Sequence, residues 1–156
     1  MVPIGTALGY CALNWIVPGV GFLAAGDRKR GIPLVIILNV IFFGGLLYGG
    51  YLYTPAFHPR SEQFNIVSAL TFVVQACHGG GTVLLLGAEK VGGPLAGLLV
   101  RDPASAYSDL GSFHFLVAGA LNYFATVKLF DLLTGRDHPE PAPQGLIIEE
   151  GKEGGS

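Results

Sequence analysis

The chain has 156 residues, of which 51 % are hydrophobic and only 13 % charged, with a mean hydropathy of +0.53. A soluble domain ordinarily carries about 25 % charged residues, so too few groups are present to hold an ordinary surface in water. A net charge of −2 and a pI near 6.0 give no support to a nucleic-acid partner. Two cysteines without a Cys-x-x-Cys pair give none to a disulfide framework or zinc site.

Taken in order, residues 1–26 contain no Asp, Glu, Lys, Arg or His, and neither do residues 31–57. Between them stands the charged tetrapeptide Asp27-Arg28-Lys29-Arg30. Each uncharged run exceeds the roughly 20 apolar residues that cross about 30 Å of hydrocarbon. The pattern predicts a transmembrane helical hairpin with the tetrapeptide as a solvent-exposed turn. The first span is expected over 4–25. It lacks the basic leader of a secretory signal, so it is read as a retained span. Pro18 cannot donate to the Asn14 carbonyl, which predicts a kink there. The second span is expected over 32–53, with Pro33 in its first turn and Tyr48, Tyr51 and Tyr53 at the headgroup level.

A polar loop over 54–63 leads to a third span over 65–87. This span holds Gln75 and the run Cys77-His78-Gly79-Gly80-Gly81, which weakens a helix locally. The apolar stretch 91–100 is too short to span and reads as interfacial or re-entrant. A fourth span follows over 111–133, with Gly135 as its C-terminal stop. From residue 136 the chain turns to alternating prolines and then acidic residues, the signature of a flexible tail. The expected fold is therefore all-α: a multi-pass membrane protein of about four transmembrane helices built on an N-terminal hairpin. Its membrane domain covers 1–135 and its acidic tail 136–156. Counting basic residues per loop places the first and third loops in the cytoplasm and both termini outside, in a bacterial inner membrane.

Each expected span carries one amide in its apolar interior: Asn14, Asn39, Gln75 and Asn122. An unpaired amide in hydrocarbon costs several kcal/mol, so these side chains are expected in helix–helix contacts. An alternative role, lining a polar pathway, is less well supported because no carboxylate or Arg sits at a span centre. His78 is the ionisable residue deepest in a span, and such a residue is a functional candidate by default. The three glycines after it would leave a side-chain-free face for a macrocycle. His78 and His114 are therefore the candidate cofactor-binding residues, for chlorophyll or haem. The competing reading is that His78 hydrogen-bonds Gln75 or a neighbouring helix while the glycines permit close packing. Measured along adjacent antiparallel spans, the two histidines would differ in height by roughly 9 Å at 1.5 Å per residue. They would not share one iron. No nucleophile–base, metal-ligand or phosphate-loop spacing is present, so no catalysis is expected.

The segment Asn14-Trp15-Ile16-Val17-Pro18-Gly19-Val20-Gly21, followed by Gly26, the basic turn and Gly31, resembles an uncharacterised family of small bacterial multi-pass membrane proteins of acidobacterial type. A second patch, Ala118-Gly119-Ala120-Leu121-Asn122 with Asp131 and Gly135-Arg136, matches the same family. The first segment is also distantly similar to the two-helix transmembrane hairpin domain. The resemblance implies a bilayer-embedded helical protein and carries no activity or catalytic residue. The expected function is that of a structural or accessory subunit of a larger membrane complex. Its expected partners are the lipid bilayer and other membrane subunits. The alternative is a tetrapyrrole-binding accessory subunit of a photosynthetic or electron-transfer complex.

Overall fold

A computed structural model describes residues 2–54, 65–92 and 106–136. The loop 55–64, most of the apolar stretch 91–100 and the acidic tail from 137 onward lie outside the described residues. Among the described residues the regular structure is helical: α1 (Ile4–Ile16), α2 (Val20–Ala24), α3 (Arg28–Leu47), α4 (Ile66–Ala76), α5 (Gly80–Val91) and α6 (Ser108–Thr134). Helices α3 and α6 are long and apolar enough to cross a membrane, and α4 with α5 makes a third candidate if that bent pair is one span. Two or three candidate spans thus stand where four were expected.

The charged tetrapeptide is not a free turn. Asp27 is the N-cap of α3: its Oδ1 accepts the Arg30 N–H at 3.2 Å, and its carboxylate pairs with the Arg30 guanidinium at 3.5 Å. Arg28, Lys29 and Arg30 form the first helical turn and remain exposed. At the other end α3 stops at Leu47, short of residue 53. The Gly50 N–H closes back on the Gly45 carbonyl at 2.9 Å, and residues 51–54 continue outside any helix.

The expected first span is a fold-back. A Cβ added to Gly21 would collide with the Tyr10 carbonyl. In a continuous helix residues eleven apart are separated by about 16 Å, so α2 returns along α1. Pro18 removes one backbone donor, and Gly19 takes φ +84°, a conformation that other residues rarely adopt. Asn14 then supplies the missing acceptor, its Oδ1 taking the Gly19 N–H at 3.0 Å.

The expected third span is also broken. Helices α4 and α5 meet at Cys77–Gly79 with a bend of 115°. Gly79 sits at φ +37°, and Thr82 on α5 reaches back to donate to the Gln75 carbonyl on α4 at 2.8 Å.

Helix α6 gives the direction of everything else. The Val2 N–H donates to the Leu133 carbonyl at 3.1 Å, Cys11 lies beside Thr126, and Asn14 meets Asn122, so α1 runs antiparallel to α6. Helix α4 runs parallel to it: Val67 and Ser68 share a groove with Asp109 and Ser112, while the Cys77 carbonyl reaches Asn122. Helix α3 is antiparallel, with Gly45 against Phe115 and Leu34 beside the cluster containing Ala125 and Leu129. The order short helix, tight turn, short helix, long apolar helix therefore occurs twice, in opposite directions. The start of α1, the basic first turn of α3 and the end of α6 all lie at one end of the molecule. This corrects the loop count, which placed the basic turn opposite both termini. That count assumed every apolar run crosses, whereas the first one turns back.

Two small apolar clusters hold the helices, Phe42, Leu85, Phe115 and Ala118 in one and Phe22, Ala125 and Leu129 in the other. Outside them, large apolar side chains such as Ile36, Val40, Val73 and Phe124 are more than half exposed. That surface suits hydrocarbon.

Candidate functional site

The tips of the two helical hairpins meet beside Asn122, close to the midpoint of α6. Pro18 and Gly19 make the first tip by denying the helix its next hydrogen bonds, and Asn14 lies within the last turn before it. Its Nδ2 donates to the Asn122 Oδ1 at 3.2 Å and to the Thr126 Oγ1 at 2.9 Å. With the Gly19 bond, the Asn14 amide joins its own tip to α6. Thr126 is oriented in turn by donating to the Asn122 carbonyl at 2.8 Å. The Asn122 Nδ2 donates to the Cys77 carbonyl at 2.8 Å and the Asn14 carbonyl at 3.3 Å. One side chain thus ties both tips. Asn14 and Asn122 are fully buried, and in that environment each satisfied group avoids a penalty of about 1–3 kcal/mol.

The second tip is seated by backbone. Gly79 and Gly80 lie against the Trp15 and Ile16 carbonyls so closely that a Cβ at either would collide with them. The N-terminal end of α5 therefore meets the C-terminal end of α1, an arrangement in which opposite helix-dipole ends face each other. Gln75, one turn earlier, is fully buried. Its Oε1 accepts the Tyr53 N–H at 3.0 Å, and its Nε2 donates to the Ser112 carbonyl at 3.2 Å and the Tyr51 carbonyl at 3.4 Å. The Ser112 hydroxyl accepts the Tyr51 N–H at 3.0 Å and donates to the Ser108 carbonyl at 2.9 Å. Gln75 and Ser112 together satisfy the non-helical backbone of 51–53 against α4 and α6.

His78 occupies the bend itself. It is 2 % exposed and stacks on Phe42, with ring centroids 4.2 Å apart and planes 10° from parallel. Neither ring nitrogen has a hydrogen-bond partner. The face expected to admit a macrocycle is filled: Gly79 and Gly80 by α1 backbone, and Gly81 by His78 and Phe42, whose atoms would lie 2.5 Å from an added Cβ. The imidazole of His78 makes no bond to Gln75; only the backbone N–H of His78 does, donating to the Gln75 carbonyl at 3.2 Å.

His114 lies elsewhere. Its Nδ1 is 2.7 Å from the Leu110 carbonyl of its own helix, its ring leans on Tyr48, and it borders a shallow groove with Ile41 and Val117. Asn39 does not join the other amides either. It donates to the Val35 carbonyl of its own helix at 2.7 Å. The structure therefore joins Asn14 to Asn122 at the first tip, anchors Gln75 separately, and leaves Asn39, His78 and His114 outside both networks. Thr126, Ser112 and Phe42 were not singled out in the sequence. Thr126 alone had a local signal, standing one turn after Asn122 on the same helix face. Among the described residues no three His, Cys, Asp or Glu side chains come together to hold a metal ion.

Residues 9–138 match the model of a family of unknown function, DUF6677. The chain belongs to this family. The matched range contains both hairpin tips, the basic turn of α3 and the Asn122 clamp. No curated protein and no solved structure matches the chain.

Proposed function

We propose that this DUF6677 member is a non-catalytic subunit embedded in a bacterial inner membrane, a packing module for a larger membrane assembly. Helices α3 and α6 cross the bilayer, while α1–α2 and α4–α5 enter from opposite faces and meet near its middle. The observation that carries the reading is the Asn14–Asn122–Cys77 network. Its polar groups are consumed in holding the hairpins together, which leaves a rigid body with an apolar exterior. The end bearing Arg28, Lys29, Arg30, Lys128 and Arg136 faces the cytoplasm under the positive-inside rule, which places the start of α1 and the end of α6 there. Tetrapyrrole ligation by His78 draws little support, because a macrocycle face would have to displace Trp15 or Phe42.

The test is mild-detergent extraction of the tagged full chain from its native membrane, followed by mass determination. A stoichiometric complex well above the 16.4 kDa chain is expected, with no Soret-region absorbance assigned to this subunit. A population consisting only of free monomer overturns the reading.

A second reading, passage of a small solute between the tips, is favoured by one arrangement. Broken helices meeting from opposite directions mark the binding sites of many transporters, and the unpartnered His78 lies at that junction. Proteoliposomes of the purified chain that conduct ions or small polar solutes faster than protein-free vesicles would favour it over the packing module.

A further inference from the structure

We propose that the chain carries a seat for one anionic phospholipid, in the groove between the first half of α3 and the last half of α6. The groove has a volume of about 580 Å³; Lys29, Arg30 and Lys128 stand at its mouth, and Pro33, Ile37 and Phe124 form its walls. It continues down to Leu38 and Leu121. From Lys29 to Leu38 and from Lys128 to Leu121 the two helices rise about 10–14 Å at 1.5 Å per residue. That is close to the depth of one leaflet, about 15 Å of a 30 Å hydrocarbon layer. Ile37 and Phe124 are 52 % and 66 % exposed, so the walls are left open by the protein itself.

The charges choose the occupant. Among the described residues this end of the molecule carries Arg28, Lys29, Arg30, Lys128 and Arg136 against Asp27 and Asp131. Arg30 shares its charge with Asp27 at 3.5 Å, and the site still keeps a net positive mouth. A phosphodiester at headgroup level with an acyl chain below it satisfies both parts of the groove. A zwitterionic headgroup brings its own cation to the same place and gains less. Basic pockets between membrane helices bind anionic headgroups by this combination of charge and depth. Arg28 belongs to the same tetrapeptide but does not line the groove, so it separates a seat from a merely basic surface.

The inference rests on residence in a bilayer, and the experiment separates the two. The purified full chain is placed in nanodiscs of phosphatidylcholine with a minor fraction of phosphatidylglycerol, and lipid retained on release into detergent is counted by native mass spectrometry. One phosphatidylglycerol held in preference to phosphatidylcholine is expected. Lys29→Gln and Lys128→Gln should each weaken that preference about fivefold, the effect of one cation near an anionic headgroup. Ile37→Trp should abolish it by filling the groove. Arg28→Gln should leave it unchanged. Equal retention of the two lipids overturns the proposal, as does an Arg28→Gln loss equal to that of Lys29→Gln. Inorganic phosphate displacing the lipid at millimolar concentration would also overturn it. A chain that fails to enter nanodiscs at all would instead refute membrane residence.

Discussion

The turn between α1 and α2 is held by a side-chain amide, whereas the turn between α4 and α5 is held by close backbone contact. Asn14 makes three bonds across the first turn and into α6. At the corresponding place in the second turn the His78 side chain makes none, and Gly79 and Gly80 press on the carbonyls of Trp15 and Ile16 instead. The first tip is fastened by an amide of its own that must remain, and the second, beyond the bonds that Asn122 and Thr82 make to its carbonyls, by the absence of side chains. A polar anchor is sensitive to deletion and a steric seat is sensitive to addition. The two halves should therefore respond in opposite ways to the same kind of mutation.

The largest expected effect is Gly79→Ala. Its Cβ would strike the Trp15 carbonyl at a φ unfavourable for Ala, and neither helix can yield without moving its tip. A cost of about 3 kcal/mol or more is expected from overpacking with backbone strain. Denaturant titration in detergent micelles reads it, with Trp15, the only tryptophan, as the fluorescence probe. Gly5→Ala on α1 is the control, with no atom within 4 Å of its added Cβ. A mild Gly79→Ala would show that the second tip is not sterically seated.

Next comes Asn14→Leu, which strands the Gly19 N–H and leaves Asn122 and Thr126 short of a partner. Membrane hydrogen bonds average about 0.6 kcal/mol each and buried unsatisfied groups cost about 1–3 kcal/mol, so a loss of about 2 kcal/mol is expected in the same titration. Asn39→Leu removes only a bond within its own helix and should shift stability by about 0.5 kcal/mol or less. Equal effects at the two asparagines would remove the distinction between a clamp and a bystander.

The smallest effect is expected at His78. With only weak backbone contacts to its own turn and to Leu38, and no hydrogen bond of good geometry to strand, His78→Leu loses its stacking on Phe42 and relieves two poorly satisfied buried nitrogens. The net change should lie within about 1 kcal/mol in either direction. A much larger destabilisation, measured by thermal melting of the detergent-solubilised protein, would mean that His78 holds a partner as firmly as Asn14 does.

Much of the long-helix framework was legible in the sequence. Uncharged runs flanked by Asp27–Arg30 and closed by Gly135 mark α3 and α6, because charge and glycine act locally. Pro18 and the glycines after His78 marked where helices break. They did not say how far the chain then turns. A proline permits kinks of different size, and the fold-back of α2 depends on its packing against Tyr10 and on Leu129, a contact made far along the chain. The amides were visible as residue types, yet their partners were not. Asn39 can satisfy itself on the preceding turn, and although Pro18 marks a break beside Asn14 that Asn39 lacks, it does not name Asn122 and Thr126 as the partners. The cleft beside His78 was misread for the same reason, since glycines advertise space without saying that another helix fills it.

The contact between Asn14 and Asn122 joins residues 108 positions apart, which has a consequence for biosynthesis. At about 5–20 residues per second, a ribosome needs about 5–20 s to deliver the second after the first. During that interval the first hairpin stands with its amide and the end of its short helix unfastened. α1, with 13 residues, is about 20 Å long and too short to anchor itself as a span. The newborn N-terminal half must therefore wait for the last helix before it can close. Truncated nascent chains lacking α6 should remain open to protease and to insertion chaperones, however correct their own sequence.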